Sequence, residues 1–168
     1  MRLIKQRWQL GAVLLLLVVL QFAVRPLIGD PRIERVAPDF LLLALLVYSI
    51  RARPGQGAIA GFVVGIVTDS LSPTAFGAGA LAHTVIGYLA AWGKVVFFAD
   101  NLFVNAVFFF VGTWFRDVFV LLIGHHAQGS AFYWQILYLS PLKSLTTAVA
   151  GVVILVIFRR WLNIRIHE

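Results

Sequence analysis

The chain has 168 residues, 61% of them hydrophobic and only 12% charged, with a mean hydropathy of +0.91 and a formal net charge of +7. A water-soluble domain usually carries about twice that charge fraction, so the surplus apolar surface calls for lipid as its solvent. The sequence holds no cysteine, which excludes disulfides and thiolate chemistry; its basic residues punctuate the apolar runs instead of forming the patch a nucleic acid needs.

Taken in chain order, the apolar runs predict an all-α integral membrane protein, a six-transmembrane-helix bundle forming one polytopic domain over 1–168. The first span, about 8–24, follows Arg2, Lys5 and Arg7 and runs into Arg25-Pro26 with no small-x-small cleavage site, so it reads as a retained anchor. A loop punctuated by Pro26, Pro31 and Pro38 follows. The second span, about 36–50, contains LLLALLVYSI and is closed by Arg51 and Arg53; the third, about 57–71, ends in the turn SPTAFGAG, with Pro73 and Gly77 as breakers. Both are shorter than the ~20 residues of a perpendicular span, so either could tilt or re-enter. The fourth and fifth spans cover about 78–98 and 102–123. The segment GHHAQGSAFYWQILYLS then turns from polar to aromatic, and about 131–139 reads as a short helix lying in the interface. There Phe132, Tyr133, Trp134 and Leu137 serve either as plain anchors or as a partner-docking surface. The sixth span, about 141–158, has Ser140 as the expected N-cap and Pro141 at its first helical position.

Six spans put both termini on one side. Arg2, Lys5, Arg7, Arg51, Arg53, Lys94, Arg159, Arg160 and Arg165 would share that side, against Arg25, Arg32, Arg35 and Lys143 on the other. The excess of basic residues assigns the termini to the cytoplasm.

Within the apolar segments, two features stand out by chemistry. Gly57, Gly61 and Gly65 fall four apart in GAIAGFVVGIVTD, and the next step lands on Asp69. On a helix these share a face, and consecutive GxxxG steps let a neighbouring backbone come close; Gly77 and Gly79 continue the small residues into the fourth span. The second feature is a set of ionisable groups, Asp39, Asp69, His83, Arg116 and Asp117. Charges in a span face the bundle interior and need partners. Asp69 lies about 18 Å up its helix from Gly57 and Arg116 about 21 Å along from Leu102 at 1.5 Å per residue, so topology gathers these groups in the outer half. Asp69 pairing with Arg116, or Asp117 taking Arg116, would make the cluster a structural joint; a proton or substrate path and a catalytic site are its competitors.

Catalytic patterns are weak. Ser70 and Ser72 sit at a helix exit with no defined histidine partner, Asp69 lacks the GxGD frame of an intramembrane aspartyl protease, and no P-loop or Rossmann fingerprint occurs. His125 and His126 lack further ligands at metal-site spacing, and no cofactor or metal is implied.

Pro38-Asp39-Phe40 with its leucines, Arg51 and Arg53, GxxxGFxxGxxxD from Gly57 to Asp69, and FGAGALAHTVIGYLAAW together resemble the rod shape-determining MreD family, best over about 36–92. The family pattern marks Pro38, Gly61, Gly65, Asp69, Gly77 and Gly79 and assigns none of them to catalysis. The resemblance implies a bacterial inner-membrane protein without enzymatic activity. It would act with MreC, MreB, RodA and RodA's partner transpeptidase in lateral-wall peptidoglycan synthesis, and its bundle would look like the S-components of energy-coupling-factor transporters. The expected function is thus a non-catalytic scaffold of the cell-elongation complex that binds MreC. The alternative is a substrate-binding component of a vitamin-type transporter, with its site around Asp69, His83 and Arg116.

Overall fold

The computed structural model describes residues 2–24, 27–71, 76–97, 102–124 and 130–162. Arg25, Pro26, Ser72, Pro73, His125, His126 and Arg165, named above, and the end of the fourth predicted span at 98, lie outside them. The described residues are helical with no strand: α1 (Arg2–Val24), the single turn α2 (Pro31–Glu34), α3 (Phe40–Ser49), α4 (Pro54–Leu71), α5 (Ala78–Phe97), α6 (Leu102–Gly124), the short α7 (Ser130–Trp134) and α8 (Ser140–Leu162).

The most apolar helix is also the most buried. In α3, Leu41 to Val47 and Ser49 are all buried, and the helix touches each of the long helices α1, α4, α5, α6 and α8. Around it those helices form an arc in the spatial order α1, α8, α6, α5, α4, given by the contacts of α1 with α8, α8 with α6, α6 with α5 and α5 with α4. A helix enclosed on every side cannot be amphipathic, which is why its sequence is a run of leucines rather than a stripe. The core around it holds Val13, Leu17, Ile86, Phe109 and Leu155.

The outward faces are apolar as well. Ile59, Phe62 and Val63 of α4, Leu81 and Leu89 of α5, Val111 and Phe115 of α6 and Val149 and Ile157 of α8 are all exposed. Two helical stretches, Leu102–Ile123 and Phe132–Phe158, are long and apolar enough to cross a membrane, whereas Trp8–Val24 and Phe40–Ser49 are shorter apolar helices.

Two boundaries differ from expectation for physical reasons. The second helix starts at Phe40 rather than 36, because Asp39 has extended backbone (φ −94°, ψ 90°) and its carboxylate accepts from the Leu42 N–H at 3.0 Å. Asp39 is therefore an N-cap, and residues before it belong to the loop. The last helix, conversely, has no N-cap at Ser140. Ser140 is itself helical (φ −65°, ψ −43°) and donates its N–H to the Gln135 carbonyl, closing a π-helical turn over Gln135–Leu139 that joins α7 to α8 without a break. Pro141 has no N–H for the carbonyl four residues back and its ring crowds that turn, so a widened turn just before it relieves both problems.

Candidate functional site

The glycine stripe lies against α5, which runs antiparallel to α4. A Cβ at Gly57 would strike the Gly87 carbonyl and the Ala91 methyl, one at Gly61 the backbone of His83 and Thr84, and one at Gly65 the backbone of Gly79 and Ala80. At all three positions the obstacle includes main chain, so the two helices meet backbone to backbone. Gly87 contributes from the other side, where a Cβ would strike the Gly57 carbonyl. Such proximity earns dispersion contacts that bulkier side chains would forbid.

Asp69 closes the stripe, and here the structure corrects the pairing with Arg116 considered above. The Asp69 carboxylate accepts from the backbone N–H groups of Gly77 (2.8 Å) and Ala80 (3.0 Å), at the start of α5. It is buried, and no ion pair joins it to Arg116 among the described residues. A carboxylate on the unsatisfied N–H groups of a helix N-terminus is stabilised by both hydrogen bonding and the helix dipole. Gly79 leaves the space for it, since a Cβ there would collide with the Asp69 carboxylate. Gly77 makes the turn: its φ of +98° lies in a region that favours glycine.

Arg116 of α6 belongs to a different centre. Its Nη1 lies 2.8 Å from Asp117 Oδ1 and 3.6 Å from Asp39 Oδ2, and Lys143 Nζ of α8 lies 3.4 and 3.8 Å from the same two oxygens. Two cations thus share two carboxylates. The four side chains are between 8% and 20% exposed, so the network is shielded on most sides. Its scaffold is also polar. Thr147 Oγ1 accepts from the Asp39 N–H, Gln21 Oε1 of α1 accepts from the Phe40 N–H, and Thr146 Oγ1 donates to the Val36 carbonyl. Asp39, with its neighbours, is therefore gripped from α1, α6 and α8 at once.

His83 is completely buried on α5, where its Nδ1 lies 2.7 Å from the Gly79 carbonyl. A carbonyl can only accept, so Nδ1 carries the proton and Nε2 is left as an acceptor with no partner among the described residues. Arg116, Asp39 and Lys143 are near enough to act on His83 electrostatically. The predicted polar residues thus divide: Asp39, Arg116 and Asp117 come together, His83 and Asp69 lie within electrostatic reach of Arg116, and Asp69 makes its hydrogen bonds within the α4–α5 hairpin. Lys143, Thr147 and Gln21 join the centre without having been singled out in the sequence. Among the described residues no group of three or more histidine or acidic side chains could hold a metal ion.

Beside this centre is a cavity of about 600 Å³, lined by Arg116, Lys143, Asp39 and Asp117, by Glu34 and Arg35 of the α2 region, by Gln21 and Gln135, and by an apolar wall that includes Val120, Leu121 and Leu139. The π-helical turn supplies Gln135 and Leu139 to it, while the same segment leaves Tyr133, Trp134, Leu137 and Tyr138 exposed, with the Trp134 and Tyr138 rings stacked at 4.4 Å. Phe132, edge-on to Tyr133, is partly buried.

The family model of the rod shape-determining protein MreD matches residues 2–164 of this chain. The chain belongs to the MreD family. No curated protein and no solved structure matches it. Membership carries a role in determining rod shape and a membrane association, and it describes a structural protein family rather than a known enzyme. The ion-paired centre and the capped hairpin are accordingly features of a chain of this family.

Proposed function

We propose that this chain is a non-catalytic, six-span scaffold of the cell-elongation complex in the bacterial inner membrane, with both termini in the cytoplasm, and that it binds MreC in support of lateral-wall peptidoglycan synthesis. The match over residues 2–164 carries the reading. In this topology α1, α3, α4, α5, α6 and α8 are the spans, the short α3 being enclosed by the others, and Asp39, Arg116, Asp117 and Lys143 lie towards the outer surface. MreB, RodA and its partner transpeptidase would belong to the same assembly.

Mechanistically, the hairpin of α4 and α5 and the ion-paired centre hold a stiff bundle, and the partner's single span and the chain just beyond it dock on the outer side. The aromatic segment is the proposed contact: Tyr133, Trp134 and Leu137 are each about 60% exposed or more, a concentration of large side chains at one end of α8. Amphipathic rings of this kind settle at the membrane interface, where a bitopic partner also leaves the bilayer. The transporter alternative draws support from the outer cavity, but family membership weighs for the scaffold.

The test is co-purification with MreC, together with rescue of rod shape in cells lacking the protein. Trp134→Ala with Leu137→Ala should lower complex yield while leaving the monomer folded; Gly61→Leu and Asp69→Ala should lower it by disturbing the bundle. Full complex yield and normal rods in all of these variants would remove the proposed role of both surfaces.

A further inference from the structure

The cavity beside the ion-paired centre has a charge pattern that selects among ligands. Its lining brings Arg35, Arg116 and Lys143 against Glu34, Asp39 and Asp117, equal numbers of each sign. An anion entering alone would meet carboxylates as well as cations, and a cation entering alone would meet the guanidinium and ammonium. A molecule carrying one group of each sign suits both.

The donors have unspent capacity. Arg116 uses Nη1 on both carboxylates, but its Nε–H is buried and has no acceptor among the described residues. Lys143 Nζ stands at 3.4 and 3.8 Å from Asp117 and Asp39, longer than a good charge-assisted hydrogen bond. A phosphate oxygen could engage the Lys143 ammonium and the side of the Arg116 guanidinium that lines the cavity, and an ammonium could donate to Asp117. The volume of about 600 Å³ lies within the range of small-molecule sites, and Val120, Leu121 and Leu139 add an apolar wall.

The level of the cavity indicates where such a molecule comes from. Gln135 and Leu139 line it from the π-helical turn, and the exposed Trp134 and Tyr138 stand just before and within that turn. Tryptophan and tyrosine gather at the depth of lipid head groups. We infer that the cavity binds the head group of a zwitterionic phospholipid with a primary ammonium, its phosphate on Arg116 and Lys143, its ammonium on Asp117, and its first acyl carbons along the apolar wall. The inference rests on the proposed membrane placement, and it deepens that reading by naming a lipid as a component of the site.

The experiment uses the purified full chain in detergent, with phosphatidylethanolamine, phosphatidylglycerol and phosphatidylcholine of matched acyl chains as probes. Native mass spectrometry should show phosphatidylethanolamine retained about ten-fold more strongly than either other lipid, because phosphatidylglycerol lacks the cation and choline has no N–H to donate. The same lipid should raise the unfolding temperature. Val120→Trp, which fills the cavity and leaves every ion pair in place, should abolish the preference, as should Arg116→Gln if it folds. Soluble glycerophosphoethanolamine competing as well as the lipid would uphold the zwitterion and transfer its source to solution. Equal retention of all three lipids, or an unchanged preference in Val120→Trp, would overturn the inference. Complex formation with MreC, measured on the parent chain, separates the two proposals: equal retention of the three lipids by a chain that still binds MreC sinks only the lipid, and selective retention of phosphatidylethanolamine by a chain that does not bind MreC sinks only the scaffold.

Discussion

Gly61→Ala is the sharpest test of the α4–α5 contact, because one methyl group is placed against main chain. The added Cβ would collide with the His83 carbonyl oxygen and stand 2.6 Å from its carbon and 3.0 Å from Thr84 Cα, where ordinary van der Waals contact begins at 3.4 Å. No rotamer change removes a backbone atom, so α5 has to retreat by roughly 1 Å, a gap that forfeits a quarter to a half of each contact along the stripe. Overpacking of this sort costs about 1–3 kcal/mol, and the better helix propensity of alanine offsets no more than about 1 kcal/mol. A net loss of about 2 kcal/mol corresponds to a melting temperature lower by about 4–8 °C for a chain of this size. Thermal unfolding of the purified protein in one detergent measures it. Gly11→Ala is the matched control, since nothing lies within 4 Å of its Cβ position, and it should melt at or slightly above the parent temperature. Equal melting of Gly61→Ala and Gly11→Ala would refute the reasoning.

The other expectations concern the polar joints and use the same unfolding assay. Asp39→Ala removes both the cap of α3 and a carboxylate facing Arg116 and Lys143, and should cost about 3–5 kcal/mol, the usual toll of a buried charge left short of a partner. Adding Arg116→Met should recover part of that loss, whereas strict additivity would show that the two side chains do not interact. Asp69→Ala should cost about 1–2 kcal/mol through loss of the α5 cap, and Asp69→Asn clearly less because its carbonyl can still accept; equal losses would contradict the capping role. Gly77→Ala should cost about 1–2 kcal/mol from backbone strain alone, as its Cβ meets nothing within 4 Å at a φ of +98°, and a neutral result would show that the turn relaxes.

How far the sequence could be read depended on whether the signal was local. The spacing of Gly57, Gly61 and Gly65 defines one face of one helix, and a four-residue period is visible without knowing what covers it. The partner of Asp69 was harder. It lies across a turn rather than across the bundle, and the sequence marked Gly77 as a breaker without showing that its N–H points back at an acid. The ion-paired centre needed still more. Lys143 looked like an ordinary basic residue at a helix start, and only the antiparallel register of α6 with α8, which opposes Asp117 to Lys143 and Phe109 to Gly151, brings it to Asp39. Thr147 and Gln21 carry no charge and no motif; their roles follow from where α3 begins, which in turn depends on the Asp39 cap. The π-helical turn escaped because Ser-Pro normally marks a start, and here the preceding aromatic helix continues through it.

The bond from Asp39 to Thr147 spans 108 residues, and Arg116 and Lys143 also follow Asp39 by a long stretch of chain. A growing polypeptide therefore releases the acid well before any of its partners exists, with only its own helix cap to satisfy it. The glycine contacts and the Asp69 cap of the α4–α5 hairpin, by contrast, lie within the hairpin itself, which can zip up as soon as it emerges. Assembly thus ends where the last helix arrives: until α8 delivers Lys143 and Thr147, an early-born carboxylate remains underpaired, and a chain cut short before that helix carries a built-in mark of being unfinished.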